Sequence, residues 1–471
     1  MARTLTGNRR IPRIPPISRR TLLKGAMLAG LPAFGASFLA PCRPAAAQAK
    51  PYAGKSITVW ITNHMYARGL KELLPEFESK TGIKVTMDLL NFDVHNQRAD
   101  LQLSSGAGNV DVMNLTFIFA GRWIGANWCT DLTSLLNDPK MTRPDEVDVK
   151  DFIAGAISPF SRGEKIFGLP WVAETTILMY RADVFKEKGI ASPPKTYEEM
   201  TEIAKKIHGK DVAGNLARGT NGLHWTWPNW LYAYGGKVFA NPPADMTPQL
   251  NSKESVAATK QFDLVSTDYG VRGSMAFTDS DAQATFNQGR AAMMLDALGV
   301  LSAALDKKQS QVADKVSFAL PPAGPAGFKP QIAAHALQIP AGVKDKGPGW
   351  EFIKWATSKE ILRKAALEKS HLAVPRASIL SDPEYKKKFT WGGADMGQLQ
   401  TKVLDAAGAG YMTYRTVPEF PQVGSRMVIA LTEISSRQKS VEQAVDDLQK
   451  DVIGIVQQAG HKINERELPK R

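Results

Sequence analysis

Residues Lys165–Met200 read KIFGLPWVAETTILMYRADVFKEKGIASPPKTYEEM, and four pieces are joined there almost without spacers. Lys165–Leu169 has the pattern of a short strand that stops at Pro170, and a second apolar run fills Thr176–Tyr180. A helix carrying Val184 and Phe185 inward follows and ends at Gly189. After the Pro193-Pro194 turn, Thr196 with Glu199 three residues later is a capping-box signature for another helix. Two strands so closely spaced leave little room for an independent loop. The spacing predicts that the chain passes from one lobe into another at Trp171–Thr176, which sets Trp171 and Glu174 beside a cleft between lobes.

Towards the N-terminus, strand and helix patterns alternate. Ser56–Ile61 reads as a strand and Arg68–Lys80 as a helix with Leu70, Leu73, Leu74 and Phe77 on one face. Ile83–Leu89 is a strand, Asn96–Ser105 a helix and Val110–Leu115 a third strand. Such alternation predicts an α/β fold with a largely parallel sheet and helices on both faces. Ligands of such sheets sit beyond the carboxyl ends of the strands, which points to Asn63 and His64 after the first strand and Thr116 and Phe117 after the third.

Towards the C-terminus, Gly222–Phe239 holds Trp225, Trp227, Trp230, Tyr232 and Tyr234. Three tryptophans within six residues, interrupted by Pro228, cannot share one helix face. Most are core residues, but one or two, with Trp225 and Trp230 the candidates, should face a cleft where a flat ring can stack on a ligand. Ala291–Leu295 is a short strand that delivers Asp296, either a turn acid or a ligand-contacting carboxylate. Val316–Leu320 runs into the Pro/Gly loop Pro321–Pro330, a second lobe crossing, and His335–Ile339 is the next strand. Ala373–Arg376 marks a third crossing. In the last helix Val441, Val445, Leu448, Val452 and Ile455 make an apolar stripe that belongs to the core.

The first 47 residues differ from the rest of the 471. They carry eight Lys/Arg and no acid, so of the net charge of +13 only +5 belongs to the remainder. The basic balance therefore gives little support to nucleic-acid binding. A basic start, a Gly/Ala-rich segment over Gly25–Ala40 and Ala45-Ala46-Ala47 form the layout of an export signal. Ser18-Arg19-Arg20-Thr21-Leu22-Leu23-Lys24 resembles the twin-arginine signal, which implies the twin-arginine translocase as a partner during export. Cys42 sits in a sequence only loosely like a lipoprotein cleavage box, with Pro41 a poor neighbour for the cut. Cleavage after Ala47 leaves Cys129 alone, beside Trp128, as a small buried hydrophobe.

No Walker A run, Gly-x-Ser-x-Gly elbow or Rossmann fingerprint is present. The seven histidines lack metal-ligand spacing, and no cluster-binding cysteines or haem motif occur, so neither a metal nor a cofactor is expected. A glycosidase needs only two carboxylates, and Glu174 with Asp296 is the pair that such a secreted carbohydrate-active enzyme would use.

The chain resembles the extracellular solute-binding proteins of carbohydrate-type ABC importers, the broad family that includes maltose-binding protein. The likeness runs through Ile57–Trp60, Leu73–Thr86, Ser104–Met113, Asp131–Thr133, Gly168–Trp171, Pro193–Glu199, Phe286–Asp296 (FNQGRAAMMLD), Ala336–Ala341 and Trp350–Glu360. It implies a periplasmic binding protein-like fold: two α/β lobes joined by hinge strands, closing around a ligand, with no catalysis. The implied boundaries are a leader at 1–47, an N-terminal lobe at 50–173 and 318–368, and a C-terminal lobe at 174–317 and 369–471. By position, Glu174 matches an acidic hydroxyl acceptor at the hinge, Trp225 a stacking aromatic, and Asn63 and His64 the polar residues after the first strand. Gly299 stands where maltose-type members carry a stacking Trp, which favours a ligand smaller than a maltodextrin, such as a monosaccharide or polyol. His335 and Arg376 lie at the other two crossings. The first is a structural histidine or a ligand contact, the second a hinge fastener or a ligand contact; both facing the cleft would suit an anionic sugar derivative. The implied partners are a carbohydrate or polyol and the permease subunits, and the implied place is the periplasm.

Overall fold

The computed structural model describes residues 50–470, and the predicted leader, with its arginine pair and Cys42, lies outside the described residues. Strand β1 (Ser56–Thr62) buries Ile57, Val59 and Ile61 in alternation. Helix α1 (Met65–Thr81) lays Leu70, Leu73, Leu74 and Phe77 inward and ends at Gly82, whose φ of +77° suits a residue without a Cβ. β2 (Lys84–Leu90), α2 (Phe92–Ser104), β3 (Val112–Thr116) and α3 (Phe117–Gly125) complete the first units. β1 pairs in parallel with both β2 and β3.

The opening stretch shifts the bounds of the two expected strands: the first is only Lys165–Ile166, paired with Ser161–Arg162. One continuous strand, β4 (Leu169–Arg181), runs straight through Pro170. Its register with a later strand shifts from Val172 opposite His335 to Pro170 opposite Ala336, which leaves Trp171 as the extra residue of a bulge. A bulge tolerates the missing N–H of proline and re-aims the neighbouring side chain. After β4 come α4 (Ala182–Glu187), α5 (Tyr197–Ile207), α6 (Leu223–Ala233) and α7 (Lys253–Asp263). Thr196 caps α5 by accepting from the Glu199 amide, but the Glu199 carboxylate bonds the Lys195 amide instead of closing the box.

The remaining elements that frame the cleft are β5 (Met293–Ala297), α8 (Leu298–Leu301), β6 (Val316–Ala319), β7 (Ile332–Gln338), α9 (Gly347–Thr357), α10 (Lys359–Lys369), α11 (Phe420–Ser435) and α12 (Val441–Gln458). The seven-stranded sheet has the order β6-β4-β7-β3-β1-β2, with β5 also on β4. β4 is the shared strand: Leu169–Thr175 pairs with β7, and Thr176–Arg181 pairs with β5 and β6. One end of β4 thus belongs to each α/β lobe. The sheet is mixed rather than largely parallel, because β7 runs antiparallel to β3 and β4, and β5 and β6 run antiparallel to β4.

α1, α9 and α10 pack together on the first lobe, and α6, α7, α11 and α12 on the second. Val441, Val445, Leu448 and Val452 are buried in α12. Cys129 is buried, and burial pushes its thiol up, out of the nucleophilic range. Among the described residues, no helix is long and apolar enough to cross a membrane.

Candidate ligand site at the lobe crossing

β1 ends at Thr62, and α1 starts only three residues later, at Met65. His64 caps that helix with an extended backbone and no side-chain bond to it, so its imidazole is free to turn elsewhere. It stacks on Trp171 from β4, with centroids 5.2 Å apart and planes at 20°. Tyr66, the second residue of α1, meets His64 edge-on at 5.4 Å and stacks on His371 at 4.3 Å. His335 of β7 stands 6.1 Å from His64. Four separate segments therefore deliver five rings to one place. Offset and edge-on arrangements like these suit the ring quadrupoles.

Burial is the first cause of the electrostatics here. It holds His64 well below the usual imidazole value, His335 at about 4 and His371 at about 3, so all three are neutral at pH 7. Both ring nitrogens of His64 and His371 Nε2 are buried without a protein partner, and the buried Tyr66 hydroxyl faces the Glu174 carboxyl. Buried polar atoms are normally paired, and these orphans lie around one set of rings.

Glu174 lies in β4 immediately before its change of partners. Its Oε2 accepts from the Gly299 amide at 2.9 Å. A Cβ on Gly299 would lie 2.4 Å from Oε1, so no side chain fits there unless the carboxylate moves. Burial raises Glu174 to about 7; Asp296 adds to the rise, while the Gly299 amide and Arg218 oppose it. A carboxyl raised in the folded state stabilises fully below its unfolded value, here near 4.5, and that contribution is lost as pH rises through 7. Glu174→Gln keeps an oxygen for Gly299 and removes the titration. Its stability relative to the natural protein should therefore improve by about 2–3 kcal/mol between pH 5 and pH 8. Denaturant midpoints of both proteins at the two pH values test this, and a pH-independent gap refutes it.

Asp296 lies inside β5 and is fully buried. Its Oδ2 accepts from Arg218 Nε at 2.6 Å and its Oδ1 from the Ala297 amide at 2.6 Å, while Arg218 Nη1 reaches Asp279 at 2.7 Å. Leu216 bridges Met294 in parallel, and two residues further along each segment Arg218 meets Asp296. Trp225 is buried at the meeting of the lobes, T-shaped to Phe117 at 6.4 Å, with Arg415 over its ring at 5.1 Å and its indole nitrogen unpartnered. Arg415 spends its donors on the Tyr414 hydroxyl and on the carbonyls of Ile332, His224 and Trp225.

Of the residues singled out from sequence, the structure gathers His64, Trp171, Glu174 and His335 at the crossing, with Trp225 and Asp296 on the second lobe's side. Thr116 is buried opposite His335, 3.5 Å from Asn96. Asn63 is exposed and accepts from Arg68 at the rim. Trp230 is packed between Tyr197 and Phe262 in the core of the second lobe. Arg376 lies over Phe152 at 3.9 Å and donates to Thr357, Asp148, Val147 and Asp151, which fastens the third crossing to the first lobe. Tyr66, Asn114, Arg218, His371 and Arg415 escaped sequence reasoning. Tyr66 had a signal, as a ring two residues beyond His64; the other four sit in ordinary runs whose neighbours only the fold supplies.

The profile of the family described as bacterial extracellular solute-binding protein matches residues 63–361, more than half of the chain. The chain belongs to this family. Membership agrees with two lobes hinged at β4 and places the protein's work outside the cytoplasm. A mannitol-binding protein of Pseudomonas aeruginosa is 24% identical over 444 residues, spanning 89% of this chain and 98% of its own. An erythritol/L-threitol-binding protein of Mycolicibacterium smegmatis is 24% identical over 400 residues, with 79% and 83% covered. Among solved structures, an ABC transporter solute-binding protein of Agrobacterium radiobacter in complex with ribitol superposes with a TM-score of 0.76 at 22% identity, covering 86% of this chain and all of the other. That likeness shows the shared fold.

Proposed function

We propose that the protein captures a neutral polyhydroxy ligand, a polyol or small sugar, between its lobes and hands it to the permease subunits of an ABC importer. It does so in the periplasm, after export on the twin-arginine route, and leaves the ligand chemically unchanged. The observation that carries this reading is the set of buried, uncharged and unpartnered ring nitrogens on His64 and His371 around the Trp171 ring, with the Tyr66 hydroxyl beside them. Each hydroxyl of a polyol both donates and accepts, as a neutral imidazole does, and its C–H faces pack on an indole. An anionic derivative would want a guanidinium fork, yet Arg218, Arg376 and Arg415 are all engaged within the protein. Gly299, packed on Glu174, offers no stacking ring at that position, which suits a small ligand. The polyols named for the relatives point the same way. Against the enzyme alternative, both oxygens of Asp296 are already taken by Arg218 and the Ala297 amide.

The test is a thermal-shift series on the purified protein with mannitol, ribitol, erythritol, glucose, gluconate and glutamate. A polyol or small sugar should raise the melting temperature, with stabilisation of about 2.7 kcal/mol at a concentration one hundred times Kd. A shift with gluconate or glutamate alone overturns the neutral-ligand reading, and product formed in the same tubes overturns the transport reading.

A further inference from the structure

We propose that Asn114 is a positioning residue that fixes His335 as the Nε2–H tautomer, so that His335 meets the ligand as a hydrogen-bond donor. This rests on the neutral polyhydroxy reading of the site and adds the polarity of one of its contacts. Asn114 is fully buried in β3, two residues from Thr116, which lies opposite His335 in the ladder. Asn114 and His335 thus project from one face of adjacent strands.

The orientation of the Asn114 carboxamide follows from Trp171. An indole N–H can only donate, and Trp171 Nε1 lies 2.9 Å from Asn114 Oδ1, so the oxygen must be on that side. The amide assignment, ordinarily a choice, is settled by that partner. Nδ2 with its two hydrogens then faces Thr62 Oγ1 at 3.3 Å and His335 Nδ1 at 3.4 Å. A nitrogen that faces a donor must present its lone pair. His335 is neutral at pH 7, burial having lowered it to about 4, so it has one ring hydrogen to place. That hydrogen goes to Nε2. The same amide therefore orients the stacking indole of Trp171 and sets which end of the imidazole donates.

Nitrogen-15 NMR of histidine-labelled protein at pH 8, without ligand, should show His335 protonated at Nε2 and bare at Nδ1. Asn114→Asp keeps an acceptor for the indole but replaces the amino group by a second acceptor, so the His335 hydrogen should move to Nδ1. Polyol affinity should fall about tenfold, the loss of one hydrogen bond at a buried site. In a His335→Gln background, whose side-chain amide donates whatever stands at 114, the same Asn114→Asp change should alter affinity less than threefold. A natural protein with His335 protonated at Nδ1, an Asn114→Asp variant with the tautomer unchanged, or a reversed tautomer with undiminished affinity would each overturn the proposal. Absence of any polyol response in the natural protein would instead strike the ligand reading, since the tautomer is read without ligand.

Discussion

Between pH 7 and pH 5 the guanidinium midpoint of this protein should fall steeply. Five histidines, His64, His95, His224, His335 and His371, are held neutral by burial, four of them at about 3 to 4 and His64 well below the ordinary value. A depressed histidine binds fewer protons folded than unfolded, so stability is lost as pH falls below the unfolded value near 6.5. At pH 5 each ring costs about 2 kcal/mol on this reckoning. Glu174 works in the opposite sense, gaining about 2–3 kcal/mol as pH falls from 7 to 5. Five rings against one carboxyl leave a net loss of several kcal/mol, a large part of a typical domain's stability. Midpoints at the two pH values test the sum, and histidine NMR titrations test the cause. A flat midpoint with rings titrating near 6.5 would refute it. If His64, His335 and His371 hold the ligand, a polyol should also protect against acid, because binding favours the neutral folded state.

The second large effect is expected at Arg218. Arg218→Leu leaves the Asp296 carboxylate buried with only the Ala297 amide for a partner. Breaking a buried pair on one side costs about 3–5 kcal/mol, far more than the net worth of an intact pair. The deficit should shrink in acid, where Asp296 takes up a proton, and the double change Arg218→Leu with Asp296→Asn should restore most of the loss. Denaturant unfolding of the two variants at pH 7 is the measurement. A single variant as stable as the natural protein would mean that the pair is not buried as described. Asp279, exposed at the other end of Arg218, should matter much less: Asp279→Asn removes a screened contact worth under about 1 kcal/mol.

The strand and helix order from Ser56 to Thr116 was legible because period-two and period-3.6 patterns were clean there and Gly82 closed the first helix. Pro170 misled, since proline usually ends a strand; only the pairing with β7 reveals the bulge that accommodates it. The parallel sheet expected from β/α alternation became mixed for a related reason. Strand direction depends on the route by which the chain returns, and β5, β6 and β7 each return antiparallel to β4.

For the candidate site, the residues that sequence singled out lie next to a recognisable local signal: His64 beyond a strand, Glu174 and Trp171 at the crossing, Trp225 in an aromatic run. Asn63 and Trp230 lie apart from the cluster of rings; exposure at a rim and burial in a core share the same local patterns. Asn114 and His371, which hold or stack on the site's rings, carry no local mark at all.

The sequence by itself determined the class of fold, the existence of a crossing near Trp171 and the absence of recognisable catalytic machinery, because periodicity, caps and motifs are properties of neighbouring residues. Only the tertiary structure decided that the crossing is one bulged strand, that Arg218 answers Asp296, and that two neutral histidines pack on Trp171 with a third beside them. Those facts arise from contacts between segments tens to hundreds of residues apart, where burial sets protonation and packing sets which polar atoms remain unpaired.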